Sequence, residues 1–315
     1  MSRLPNTRSN TRSNIRPESL PENLSGRPSA SPSGHRTGSH SARRAAGAAL
    51  TAALALGATA APAWTAAAAP ATSASVAAPA VPLAPDAPAG TAATVAFADD
   101  FESGTAARWT RQRVDGNGSI TVTPAPGQGA GLAARFSVPD DGQSYRSEVA
   151  VNSLGWGSYR FALADYLPAD WVQTSTETIV AQWHGYPLAD GSDTKPPIAL
   201  TVKDGSWRLK VHWLSDPSTV QEAVIPLGAV QFGHWNQWAF DITWSTDTTP
   251  GAITVLRDGV QVGAYNGLNN YHQNQSPYFK TGIYRANWNP AKGIPYPTGG
   301  PDVVLYSDSV VVTKY

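Results

Sequence analysis

Ile198-Ala199-Leu200-Thr201-Val202-Lys203-Asp204-Gly205-Ser206-Trp207-Arg208-Leu209-Lys210-Val211-His212-Trp213 carries two alternating runs on either side of an Asp-Gly pair. Alternation with a period of two places successive side chains on opposite faces of a strand. Asp-Gly suits a two-residue hairpin, because both central positions of that turn require positive φ. The stretch therefore reads as a β-hairpin. Working outward, Asp258-Gly259 repeats the signal, and short alternating runs recur at 119–123, 133–138, 146–151, 157–164, 178–184, 238–244, 252–257, 278–284 and 303–313. No stretch after residue 95 sustains a 3.6-residue period, so helix content should be small. About a dozen strands without helices predict an all-β fold, a two-sheet β-sandwich of the jelly-roll, concanavalin-like kind. Its concave sheet face is the natural substrate groove. No internal repeat points to a propeller.

The chain before that domain reads differently. Its first 42 residues are almost entirely Ser, Arg, Pro, Asn and Gly, followed by Arg43-Arg44 and an Ala- and Leu-rich run to about Ala61. A basic stretch, a short apolar run and an Ala61-Pro62-Ala63 site describe an export signal over 1–63, with a long basic leader too polar to fold. The run falls short of the roughly 20 strongly apolar residues of a bilayer span. Residues 64–94 are Ala, Pro and Thr with almost no charge, the composition of an extended tether. These readings predict a secreted protein whose folded part is 95–315, monomeric and not membrane-bound.

The 23 basic and 23 acidic residues cancel overall, but eight arginines and three acids precede residue 95. The domain therefore holds 15 basic and 20 acidic residues, a net −5. That balance argues against a nucleic-acid partner bound by broad phosphate neutralisation. A polyanion would have to bind in a local basic cleft. With no cysteine, disulfides, thiolate catalysis and Cys-based zinc sites are excluded.

Three runs place polar residues side by side on one strand face: Gln182 and His184, with Val180; Arg146 and Glu148; and Tyr278, Lys280 and Tyr284. Polar side chains on a core face are costly unless each finds partners. Gly282, between Lys280 and Tyr284, leaves room for a ligand to approach the backbone. Each stripe has a structural reading too: an exposed face, an ion pair, or an edge lysine that discourages aggregation. Three such stripes in one domain describe a sugar-binding groove.

Glycoside hydrolysis needs two carboxylates flanking the scissile bond. The domain's glutamates, Glu102, Glu148, Glu177 and Glu222, are scattered along the sequence. β-Elimination on a uronic acid makes other demands. Loss of the C5 proton builds charge on the adjacent carboxylate, so donors must already be aimed there; Arg146 and Gln182 are suitable. His184, with an ordinary pKa near 6.5, suits the general base. Tyr284 can protonate the leaving oxygen, eased by a neighbouring cation, Lys280 or Arg285.

Tyr145-Arg146-Ser147-Glu148, Gln182-Trp183-His184-Gly185 and Phe279-Lys280-Thr281-Gly282-Ile283-Tyr284-Arg285 resemble the three signature strands of β-jelly-roll polysaccharide lyases. The resemblance covers about 95–315. It is closest to the group containing heparin lyase I and glucuronan lyases, and more distant to alginate lyases, which have a small aliphatic residue where this chain has Trp183. It implies His184 as base, Tyr284 as acid, Arg146 and Gln182 as carboxylate neutralisers, and Lys280 in the cleft. The substrate would be an anionic polysaccharide, glucuronan ahead of heparin because the cations needed for sulfate are few.

Glu148, Tyr278, Arg285, Trp288 and Tyr271 are the candidate substrate-binding residues. Trp288 lies in the loop after Tyr284, and Tyr271 lies beside His272 in a polar loop. No cofactor is required. Asp99, Asp100, Glu102, Asp302 and Asp308 are oxygen donors near the two ends of the domain and candidates for a structural Ca²⁺. The competing function is a non-catalytic carbohydrate-binding module or lectin on the same sandwich, which would need aromatics but no acid and base.

Overall fold

At the Asp204-Gly205 pair the backbone has φ of 50° and 70°, and Lys203 pairs with Ser206 across the turn. Asp258 and Gly259 repeat it at 53° and 78°. The computed structural model describes residues 92–315 except 172–174, 189–190, 217–218 and 297. The export signal and most of the tether lie outside the described residues.

Among the described residues there are fifteen antiparallel strands and two single 3₁₀ turns, Ala286–Trp288 and Pro290–Lys292. In chain order they begin with β1 (Thr94–Asp99), β2 (Arg111–Asp115), β3 (Ser119–Pro124), β4 (Leu132–Val138) and β5 (Arg146–Ala150). Next come β6 (Ser158–Tyr166), β7 (Thr178–His184), β8 (Ile198–Lys203), β9 (Ser206–Asp216) and β10 (Thr219–Ala229). The last are β11 (Trp235–Thr243), β12 (Gly251–Arg257), β13 (Val260–Gly267), β14 (Tyr278–Tyr284) and β15 (Val303–Lys314). All eleven runs anticipated from alternation are strands. The four unanticipated ones, β1, β2, β10 and β13, are largely exposed and so carry little apolar alternation.

Eight strands form one sheet, ordered β13-β12-β11-β6-β15-β4-β3 with β1 beside β15. Seven form the other, ordered β10-β9-β8-β7-β14-β5-β2. The expected two-sheet sandwich is thus what forms. Its core lies between the sheets, where Trp183 meets Phe161, Phe240 and Phe279 at ring-centroid distances of 5.0–5.3 Å. Trp183 is fully buried, and its loss to Ala would cost about 3–5 kcal/mol. Among the described residues, no helix is long and apolar enough to cross a membrane.

Alternation predicted Val180 on the face of Gln182 and His184. It lies instead in the core. A register shift between Ile179 and Ala181 against β8 inserts Val180 as an extra residue, which reverses facing at that point. Gln182 and His184 keep the outer face because the bulge precedes them.

Among the described residues, no group of three acids or histidines is placed to hold a metal ion. The acids serve as local acceptors: Asp99 takes Trp109 Nε1 at 2.8 Å, Glu102 takes the Leu132 amide at 2.7 Å, and Asp302 takes the Ser137 hydroxyl at 3.0 Å. Asp100 accepts from the Glu102 amide at 3.2 Å. Asp308 is pushed up to about 6, chiefly by burial and also by the charges of Glu102 and Asp100.

Candidate active site

β7, β14, β5 and β2 are neighbours in the seven-stranded sheet, and their register assembles the outer face. Lys280 pairs with Gln182 on one side and Ala150 on the other, and Arg111 of β2 pairs with that same Ala150. Tyr284 pairs with Arg146, which pairs with Asp115. His184 pairs with Tyr278. Phe279, Ile283, Val149 and Trp183, the alternate residues, are in the core. The three polar stripes read from the sequence are therefore adjacent on one surface.

Glu148 is the hub of that surface, with only 3% of its area exposed. Its Oε1 accepts a hydrogen bond from Gln182 Nε2. Its Oε2 lies 3.5 Å from Arg146 Nε and 3.8 Å from Lys280 Nζ. Glu148 was read as a substrate ligand. Both its oxygens face protein groups instead, which makes it a positioning residue for two cations and an amide. Gln182 is fully buried with one amide hydrogen committed to Glu148, and an amide carries two.

Arg146 Nε is also 3.2 Å from Asp115 Oδ2. Burial works against the guanidinium charge, but Glu148, Tyr284 and Asp115 outweigh it and raise its pKa. Arg146 Cζ sits 4.2 Å from the Tyr284 ring centroid, a cation–π distance. Lys280 is pushed down, mostly by burial.

His184 places Nδ1 2.6 Å from the Gly185 carbonyl oxygen. A carbonyl only accepts, so Nδ1 carries the proton and Nε2 keeps its lone pair. Burial, with the Lys280 charge second, lowers the His184 pKa to about 4. The ring is thus neutral at pH 7, as a base must be. Tyr278 is its nearest aromatic neighbour of the motif, ring centroids 5.6 Å apart, with Arg111 Cζ 4.6 Å over the Tyr278 ring. Tyr284 lies further along the strand, opposite Ile179. The register alone therefore puts Tyr278, not Tyr284, directly across from His184.

Two substrate-binding candidates, Arg285 and Trp288, do not face this surface. Arg285 is 1% exposed, donates from Nε to Thr178 Oγ1 at 2.9 Å, and lies 4.3 Å over the Trp288 ring. It follows Tyr284 and so points to the opposite side. Trp288 is itself buried, stacked on Tyr296 at 4.9 Å and 5°. Tyr271 is 5% exposed, with its hydroxyl pushed up by burial. Arg285 and Trp288 are corrected to packing roles, whereas the Tyr271 ring lies against Gly185, beside His184.

Gly282 is likewise needed for another reason. Its φ is 131°, and a Cβ there would collide with the Ser147 carbonyl oxygen. The backbone of β5, not a ligand, excludes a side chain.

Sequence reading missed Arg111, Arg113 and Asp115, because β2 is too polar to announce itself as a strand. It also missed a cluster further along the sheet. Lys210 Nζ is 3.2 Å from both Glu177 and Glu222, and His212 Nε2 is 2.7 Å from Glu222. The glutamates that seemed scattered do meet here. Burial acts to raise Glu222, yet its bonds to His212 and Lys210 hold it below the ordinary range. A glycosidase acid needs the reverse.

A profile of the family described as polysaccharide lyase matches residues 101–311. This chain belongs to the polysaccharide lyase family. It is therefore an enzyme that breaks uronic-acid polysaccharides by elimination, on a two-sheet fold. The endo-β-1,4-glucuronan lyase of the fungus Trichoderma reesei is similar in structure, with 20% identity over 70% of this chain and 96% of that one, and a TM-score of 0.59. Alginate lyase A1-II′, a member of polysaccharide lyase family 7, matches with 23% identity over 57% and 78%, and a TM-score of 0.43. No curated protein sequence matches the lyase.

Proposed function

We propose that the lyase is a secreted glucuronan-cleaving enzyme in which His184 is the general base and Tyr284 the general acid. The observation that carries this reading is the state of His184: Nδ1 engaged by Gly185, Nε2 with its lone pair, and a ring neutral at pH 7. Nε2 takes the C5 proton, the C4–C5 double bond forms, and the C4–O bond breaks. The Tyr284 hydroxyl protonates the departing oxygen. The products are an unsaturated uronate at one new end and a hydroxyl at the other. Arg146 and Lys280, with the second amide hydrogen of Gln182, stabilise the charge that builds on the carboxylate.

Glucuronan is favoured over heparin by charge. On the β2–β5–β14 part of the face, Arg111, Arg113, Arg146 and Lys280 outnumber Asp115 and Glu148 by two, enough for carboxylates but sparse for a sulfated chain. The fold likeness to a glucuronan lyase points the same way. Secretion is supported by the leader composition. The test is incubation with glucuronan, heparin, heparan sulfate, hyaluronan and alginate, following the ultraviolet absorbance of the unsaturated product. Fastest turnover is expected on glucuronan. No absorbance gain on any of the five would refute the His184–Tyr284 assignment of chemistry.

A further inference from the structure

Beyond the His184 end of β7, a second recess of about 340 Å³ opens among the loops that follow β11 and β13 and precede β6. That is the lower end of the roughly 300–1,000 Å³ typical of small-ligand sites. Trp156, Ser158, Trp244, Asp247, His272 and Gln273 line it. None belongs to the catalytic face, although Gln273 also accepts from the Tyr186 amide at 2.8 Å and so borders it.

Trp156 is 37% exposed, the one aromatic among the exposed large hydrophobic residues described. Its ring stands at 85° to Trp244 with centroids 6.3 Å apart, which fixes an indole edge against a buried partner. The walls are held rigidly. Asn269 and Asn270 are fully buried and tie the two loops together. Asn269 Oδ1 accepts from the Ser245 amide at 2.9 Å, Asn269 Nδ2 donates to the Thr243 carbonyl at 2.9 Å, and Asn270 Nδ2 donates to Ser245 Oγ at 2.8 Å. Asn270 Oδ1 also takes the amide of His272 at 2.7 Å, holding that residue at a φ of 51°. A non-glycine residue kept in the left-handed region by a buried network marks a conformation the surroundings impose, a common property of ligand clamps.

The charges define the ligand. Asp247 and His272 pair at 3.1 Å, and neither Lys nor Arg is among the described residues that line the recess. Lys314, near Gly157, is turned over the Tyr159 ring at 5.3 Å. An apolar indole surface beside a carboxylate, an imidazole, an amide and a hydroxyl suits a ring with one C–H face and several hydroxyls. We propose that this recess is a second saccharide site, which binds a neutral hexopyranose residue and tethers the enzyme to uncharged glycan while the catalytic face works on uronate.

Cellohexaose, laminarihexaose and mannohexaose are titrated into the full chain by calorimetry. At least one should bind saturably, and Trp156→Ala should weaken it at least tenfold while leaving cleavage of a short uronate oligomer unchanged. Asp247→Asn should weaken it as well. The proposal is overturned if none of the three binds, if Trp156→Ala binds as the parent does, or if the bound neutral sugar competes with uronate cleavage. Binding of the neutral sugar and its loss in Trp156→Ala are read by calorimetry alone, so they stand or fall whether or not the chain cleaves a uronate polymer.

Discussion

His184 holds its Nδ1 2.6 Å from the carbonyl oxygen of the next residue, Gly185. This contact dictates the tautomer, and burial keeps the ring neutral down to about pH 4. Because the folded pKa lies below the ordinary 6.5, the neutral ring's contribution to stability is complete above 6.5 and is lost as pH falls towards 4. The acidic limb of kcat/KM should accordingly be centred near pH 4. Replacing Lys280 with Gln removes the charge that depresses it after burial and should move that limb upward. A parent limb near 6.5 would exclude His184 as the titrating base.

Tyr278 and Tyr284 share the outer face, one across from His184 and the other under Arg146. Burial raises the Tyr278 hydroxyl, with Arg111 opposing it. If Tyr284 is the acid, Tyr284→Phe should lower kcat by at least about 100-fold, the lower range for general acid catalysis, with binding of oligosaccharide retained. Tyr278→Phe should mainly raise KM. The reverse pattern would transfer the acid role to Tyr278.

Glu148 stands between Arg146, Lys280 and Gln182 in a nearly closed setting. Glu148→Ala leaves two buried cations without their shared anion. Removing one partner of such a group costs about 3–5 kcal/mol. Denaturant unfolding should register that loss, and kcat should fall with it because the cations move. Unchanged stability would mean the cations find solvent easily.

Asp165 of β6 is fully buried opposite Ser307 of β15. Burial pushes it up to about 8, with nearby Ser307 opposing only weakly. A carboxyl raised in the folded state favours folding below its ordinary pKa of 3.8, and that advantage is lost as pH rises through 8. Thermal unfolding midpoints should decline from pH 5 to 9, and Asp165→Asn should flatten the decline. An identical slope in the variant would show that another group controls it.

Much of this molecule is written locally. Asp204-Gly205 and Asp258-Gly259 name their turns because few residue pairs accept two positive φ values, and the alternating runs name eleven strands. The motif residues on β5, β7 and β14 were legible as polar stripes because a period of two places them on one face without any knowledge of the partner strands. The β2 contribution was not legible, since Arg-Gln-Arg-Val-Asp shows no apolar alternation until its neighbour is known.

Tertiary structure decided the rest. The bulge at Val180 arises from pairing with β8, and sequence spacing cannot report an extra residue in a ladder. Arg285 and Trp288 looked like groove residues by proximity to Tyr284, yet the strand's alternation and the packing of Trp288 on Tyr296 turn them inward. Gly282 is demanded by the approach of β5, and Glu148 becomes a hub only when three strands align. Glu177 and Glu222 meet across Lys210 although 45 positions separate them. Strand periodicity settles which way a side chain faces, because that is local geometry. What it faces is set by register and sheet order, because those depend on chain segments far away.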